Sequence, residues 1–224
     1  MNVRLQNNTN LSLHTASHYQ EYTVQLQHGP LITDYLESIS QVFHNATSEH
    51  SRTLAIRIDL RLPKTINCPD YPSAYGNSII SKFTASLKAQ LKAHQLKKQS
   101  MGKRAIPCTL RYVWVNERDS VLNDHYHMVL FFNKDAYDRL GDIRAIEGNM
   151  AARIKKAWAS ALDLELRAVS GLVHFTRNGV FHLDSNSEYF NHNYNNCFEA
   201  CSYLAKATTK HYGSRIKSFG CSRT

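Results

Sequence analysis

Apolar residues recur along most of the chain with one of two periods, and each change of period marks a new element. Residues 1–28 show neither period and are rich in Asn, Gln and His, so they read as a loose polar arm. Leu31, Ile32, Tyr35, Leu36, Ile39 and Phe43 recur at helical spacing with Thr33-Asp34 near the start, which predicts a helix over 31–43 and a polar connector over 44–52. Between Leu54 and Leu62 the period falls to two. Ile56, Ile58, Leu60 and Leu62 point one way, Arg57, Asp59 and Arg61 the other, and Pro63 ends the run. A strand with three charges on one face either meets solvent there or lines a polar cleft.

Residues 67–76 read as a loop before a long helix over 77–98, with Ile79, Ile80, Phe83, Leu87 and Leu91 on its inner side. Its Lys82, Lys88, Lys92, Lys97 and Lys98 form a solvated face or a DNA contact. Strands are predicted over 109–115 and 125–132, joined by the short polar stretch 116–124 as an antiparallel hairpin. A helix over 143–162 follows, on Ile146, Met150, Ile154, Trp158 and Ala161. Segments 169–176 and 180–184 read as a second hairpin around Arg177-Asn178-Gly179. A last helix is predicted from Asn196, with Glu199 placed as in a capping box, to near Gly213. The order predicts an α+β fold: an antiparallel sheet of about five strands with helices packed on it. Residues 1–50 form an N-terminal arm and helix ahead of a main domain over 51–224.

Composition adds a partner class. The 27 Lys and Arg against 18 Asp and Glu give a formal charge of +9, which suits an anionic partner such as nucleic acid and also serves solubility. The 5 cysteines are odd in number and hold no CxxC pair, which argues against a disulfide framework or a zinc ribbon and for a reducing compartment. Cys197 and Cys201, one helical turn apart, are expected as buried packing rather than as ligands. The N-terminus lacks the layout of a signal peptide, and no apolar run approaches the ~20 residues that span a bilayer. The expectation is a cytoplasmic protein with no membrane contact.

The chemistry concentrates at His125-Tyr126-His127. Residues two apart in a strand project from the same face, so both imidazoles lie side by side and can chelate a divalent metal if a third ligand is at hand. Pairing 117 with 125 across the first hairpin sets Glu117 opposite His125, with Asp119 and Asp124 as fallback ligands in the turn. In the predicted last helix, Lys206 lies about 60° and Lys210 about 20° from Tyr203, so the three share a face. A tyrosine flanked by ammonium groups suits attack on a phosphodiester, because they offset its charge and favour a phenolate nucleophile. Tyr212 falls about 180° around the same helix and is not read as a second nucleophile. His174 and His182, facing each other across the second hairpin, form a rival metal site with no acidic residue to complete it.

His125-Tyr126-His127 followed by Tyr203 and Lys206 resembles the HUH superfamily of rolling-circle replication initiators, relaxases and single-strand transposases. Within it, HYHMVLFFNKDAY, SGLVHF, SYLAK and the tail FGCSR look like the replication-protein family of prophages and filamentous, inovirus-type phages. The resemblance covers about residues 54–224. It implies an RRM-like palm that holds Mg or Mn on His125, His127 and, by spacing alone, Glu117. It also implies a single-tyrosine endonuclease whose Tyr203, with Lys206 beside it, joins single-stranded or hairpin DNA as a 5′-phosphotyrosine and frees a 3′-hydroxyl. Lys210 and, in the tail, Arg215, Lys217 and Arg223 are the expected DNA phosphate contacts, a basic tail with only a solvating role being the alternative. No GxxxxGK motif is present, so a host helicase and polymerase are the implied partners. The alternative is a non-catalytic DNA-binding regulator on the same scaffold, stacking bases on Tyr112, Trp114, Phe131 and Phe132. An RNA-binding ferredoxin-like module ranks last, for want of the matching aromatic pattern.

Overall fold

The alternation over 52–61 decides the architecture, because it gives one strand two faces that both need covering. The structure, a computed structural model, describes residues 3–63, 78–118, 124–208, 210 and 217–223. In chain order it contains β1 (Arg4–Leu5), β2 (Asn8–His14), β3 (His18–Tyr19), β4 (Tyr22–Thr23), β5 (Leu31–Ile32), α1 (Thr33–Glu49), β6 (Arg52–Arg61), α2 (Ser78–Ser100), β7 (Arg111–Arg118), β8 (Asp124–Asn133), α3 (Met150–Leu162), β9 (Val173–Asp184), α4 (Phe190–Ser202) and β10 (Phe219–Cys221). Short 3-10 turns lie at Leu166–Val169 and Tyr203–Ala205. Five strands form one antiparallel sheet in the order β10-β7-β8-β6-β9, so the predicted α+β class and sheet hold.

One face of the sheet carries Leu54, Ile56, Ile58 and Leu60 of β6 with Met128, Leu130 and Phe132 of β8, all buried beneath α2 and α3. Trp158 of α3 is fully buried there, and its indole N–H donates to the Arg61 carbonyl at 3.0 Å. The other face changes chemistry along its length. Ala55, Val113, Val115, Val129 and Phe131 lie under α1 and α4 in a second core. Two and four residues further along the strands, the same face presents Arg57 and Asp59, Glu117, and His127 and His125. An amphipathic sheet is thus apolar under the helices and ionisable beyond them. Arg57 and Asp59 of β6 line a polar cleft, while Arg61 at the end of the strand is exposed.

Several sequence expectations change. Residues 3–28 are not a loose arm: short strands run through them, and Tyr22 packs on Tyr194 and Phe198 at ring distances of 4.8 and 5.1 Å. Leu31 and Ile32, expected to open the first helix, are fully buried as β5 instead. The two-residue strands β1, β3, β4 and β5 carry no readable period. α1 continues through the expected connector to Glu49. α3 starts only at Met150, behind an Asn149 cap that accepts from the Ala152 N–H, and leaves Ile146 exposed. The second hairpin is a single strand, β9. Ile56 pairs with Val180 and Ile58 with Phe175, which leaves residues 176–179 bulged opposite Arg57. His174 and His182 therefore stand on one strand and form no rival site. The fifth strand comes instead from the tail. Asn196 lies within α4, which begins at Phe190, so it does not cap it. Phe131, Phe132 and Trp114 are core residues, not a stacking platform. Cys197 and Cys201 are buried packing as expected. Cys68, Asp119, Tyr212 and Arg215 lie outside the described residues. Among the described residues, no helix is long and apolar enough to cross a membrane.

At the far end of the sheet the Arg111 guanidinium donates to Glu49 at 2.8 Å and ties the end of α1 to the start of β7. Burial alone would raise the Glu49 pKa, but Thr109 and Arg111 outweigh it and hold it below its ordinary 4.5. A carboxyl lowered by folding contributes stability that is complete above its unfolded pKa and is lost as pH falls through the folded one. Thermal melts of Glu49→Gln and wild type should therefore converge as pH drops from 6 to 3, and a constant gap would rule out this linkage.

Candidate metal centre and tyrosine

Sheet register builds the site. Glu117 of β7 pairs with His125 of β8, the alignment on which the third-ligand assignment depends. On its other side β8 pairs with β6, setting Asp59 opposite His127, and β6 in turn sets Asp59 opposite His174 of β9. His127 Nδ1 lies 2.6 Å from Asp59 Oδ1, and His174 Nδ1 lies 3.2 Å from Asp59 Oδ2. The His125 and His127 rings stand edge to face with centroids 4.8 Å apart.

Above this surface α4 stops at Ser202, about three turns short of the end near Gly213 that the sequence predicts, and Tyr203–Ala205 tightens into a 3-10 turn. Lys206 then turns to φ −54 and ψ 136, so Tyr203, Lys206 and Lys210 do not lie on one regular helix. They converge all the same, on Glu117. Lys206 Nζ lies 2.7 Å from Glu117 Oε2 and Lys210 Nζ lies 2.6 Å from Oε1. The same Lys206 ammonium donates to the Tyr203 hydroxyl. The N-terminal region pins this segment: the Gln25 N–H donates to Ser202 Oγ at 2.9 Å, and the Ala207 N–H donates to the Pro30 carbonyl at 2.9 Å. The Tyr203 ring meets the rings of His127 and His28 edge-on at 5.3 and 5.2 Å, and the Arg57 guanidinium lies 5.7 Å over it.

The electrostatics follow from burial and pairing. Burial by itself raises the Glu117 pKa, yet His127 and the two ammonium groups hold it well below the usual carboxylate range. Burial lowers Lys206, but Glu117 and Tyr203 more than compensate and raise it. Lys210, with a side chain 0% exposed, is pulled down by burial to about 8 despite Glu117. Burial raises Asp59 less than His127 and His174 lower it, so it stays ionised.

Glu117, His125 and His127 form a candidate site for a divalent ion. Donor atoms of Glu117, His125 and His127 lie within 4.8 Å of one another. An ion bonded to N and O atoms at about 2.0–2.2 Å holds its donors within roughly 4.5 Å of each other, so these side chains must draw together by a few tenths of an ångström to take one. His127 Nε2 is buried with no hydrogen-bond partner, although Glu117 Oε2 is 3.4 Å away. A buried polar atom without a partner is costly unless something meets it. Its other nitrogen is held by Asp59, the carboxylate–histidine arrangement that orients metal-binding imidazoles. Both oxygens of Glu117 are already engaged, so an ion takes this carboxylate in competition with Lys206. Asp59→Asn should weaken manganese binding by about 10–100-fold through loss of that orientation. Unchanged affinity in a calorimetric titration would remove Asp59 from the site.

Glu117, His125, His127, Tyr203 and Lys206 are thus brought together as expected. Lys210, expected at the DNA, is placed inside the cluster, while Lys217 is exposed just before β10. The sequence reading missed Asp59, His174, Arg57 and His28. Asp59 and Arg57 were visible as the charged face of β6, but their partners depend on strand order.

The family model described as the YagK/YfjJ C-terminal domain matches residues 13–222, a span that includes every described residue of the site. The chain is 37% identical over 204 residues to the uncharacterized protein YagK of Escherichia coli strain K12, covering 90% of this chain and 98% of YagK. It is 32% identical over 206 residues to the uncharacterized protein YfjJ of the same strain, covering 90% and 99%. No solved structure matches.

Proposed function

The chain belongs to the YagK/YfjJ C-terminal domain family, and we propose that it is a metal-dependent, site-specific single-strand DNA endonuclease and strand transferase that starts rolling-circle replication of a phage or satellite element. The observation that carries this reading is that Lys206 joins the Tyr203 hydroxyl to the Glu117 carboxylate, whose Oε2 lies 3.4 Å from the buried His127 Nε2. When held by Glu117, His125 and His127, Mg or Mn supplies Lewis-acid polarisation of the scissile phosphate.

The chain's own residues do the rest. Tyr203 Oη bonds to phosphorus as the P–O3′ bond breaks. The phenolic proton is lost and the departing 3′-oxygen gains one, so one ester replaces another and no nucleoside triphosphate is consumed. Lys206 steadies the phenolic oxygen, and Arg57 adds positive charge over the same ring. Asp59 orients His127, and Lys210 keeps Glu117 ionised and in place. Return of the 3′-hydroxyl reverses the step and rejoins strands. A host helicase and polymerase would open and copy the template.

The pairing of both Glu117 oxygens with lysines favours a second reading, a DNA-binding regulator whose cluster is closed without metal. Incubation with hairpin single strands and manganese separates the two. A complex that survives a denaturing gel is the expected result. No covalent complex, together with no manganese binding, would establish the regulator.

A further inference from the structure

The two helical layers carry opposite charge. α1 and α4 contain Asp34, Glu37, Glu49 and Glu199 and no Lys or Arg. α2 and α3 contain eight Lys or Arg and no acidic residue. The basic layer covers the face of the sheet opposite the cleft of Tyr203 and Glu117. We propose that this α2–α3 face is a duplex-DNA binding surface, separate from the nicking cleft.

The side chains are arranged for it. Lys82, Lys88, Lys92 and Lys97 are exposed, and no carboxylate pairs with any of them among the described residues. A helix surface with only a solvating role commonly alternates signs, giving i,i+4 pairs; α2 offers its lysines no carboxylate, and Lys88 lies 5.8 Å over the Tyr112 ring instead. Lys82 and Lys97 lie about 22 Å apart along the axis, at ~1.5 Å per residue. Over that length each DNA strand presents a phosphate about every 3.4 Å. The outward ridge is Ala85, Ala89 and Ala93, all exposed, with Lys82 on one side, Lys88 and Lys92 on the other and Lys97 about half a turn from Lys88. The lysines therefore flank a path that a backbone can follow without meeting bulky side chains. Beside the ridge, Lys88 and Lys92 overhang a groove of about 250 Å³ that runs to Cys108 and Thr109. Lysines without matched acceptor geometry favour a phosphate backbone over base edges, so the surface should bind without sequence preference. A protein holding duplex on one face and a single strand on the other grips both sides of a fork. The surface itself does not depend on Tyr203 chemistry, since a regulator would use it equally.

The test is fluorescence anisotropy with a labelled blunt duplex of unrelated sequence, using the full chain carrying Tyr203→Phe. Adding Lys82→Gln, Lys88→Gln, Lys92→Gln and Lys97→Gln should weaken duplex binding at least ~10-fold. It should also make the slope of log K against log salt shallower by roughly 3, at about 0.9 per phosphate contact. Single-strand binding should stay within about twofold, and a circular-dichroism melt should match the parent. Unchanged duplex affinity, or an equal loss on single strands, would overturn the proposal. So would preference for double-stranded RNA or phosphatidylserine vesicles over duplex DNA. In a chain with Tyr203 intact, covalent-complex formation on a short single strand reports the nicking chemistry separately, so either idea can fail without the other.

Discussion

Tyr203→Phe is expected to form no covalent complex with origin single strands at any manganese concentration, while its fold and metal affinity stay as in wild type. The substitution removes one oxygen and keeps the ring. That ring supplies the edge contacts to His127 and His28 and lies beneath Arg57. What disappears is the atom Lys206 donates to, and with it the phosphorus–oxygen bond on which the reaction depends. Lys206→Met is the graded companion, because it leaves the nucleophile but removes the positive charge beside it. Loss of one preorganised donor at a developing charge costs about 10²–10³ in rate. Quantifying the gel-shifted complex over time separates an abolished reaction from a slowed one. A complex formed at the wild-type rate by Tyr203→Phe would move the nucleophile elsewhere in the chain.

The parts of this site that depend on local pattern were legible from residue order. Alternation in β8 put His125 and His127 on one face, and a short connector placed Glu117 across from His125. The convergence of Tyr203, Lys206 and Lys210 was anticipated for a reason the structure does not share. A helical wheel grouped them, yet the helix ends at Ser202 and the chain turns extended at Lys206. The buried Glu117 carboxylate gathers the two ammonium groups instead. Asp59 stood on a face read as either exposed or a cleft wall. Only the non-local pairing of β6 with β8 and β9 settles that, and two-residue patterns do not encode strand order. Arg177-Asn178-Gly179 shows the same limit in a turn. Asn178 adopts φ 56, and a Cβ on Gly179 would lie 2.8 Å from the Thr176 carbonyl. The special backbone is real, but it makes a bulge rather than a reversal, because the strand continues to pair with β6 on either side.

Glu117→Leu should destabilise the metal-free protein by about 3–5 kcal/mol, the usual cost of removing one partner from a buried ion pair. Here one carboxylate answers two ammonium groups, and its loss leaves Lys206 and Lys210 facing each other with side chains 8% and 0% exposed. Desolvation already pulls Lys210 down to about 8 with Glu117 present, so without it the charged form has little to hold it. Adding Lys210→Met to Glu117→Leu should recover part of the loss, since it removes the fully buried ammonium while Lys206 keeps only the Tyr203 hydroxyl as a partner. Urea unfolding in EDTA measures both effects, and a Glu117→Leu change below about 1 kcal/mol would mean that the cluster is not held by charge. Manganese binding should remain absent in the double variant even where stability returns. That split distinguishes the two roles of Glu117. As a counterion it is replaceable by hydrocarbon, whereas as a metal ligand beside His127 Nε2 it is not, so rescued folding without rescued binding would assign the carboxylate to function rather than to the scaffold.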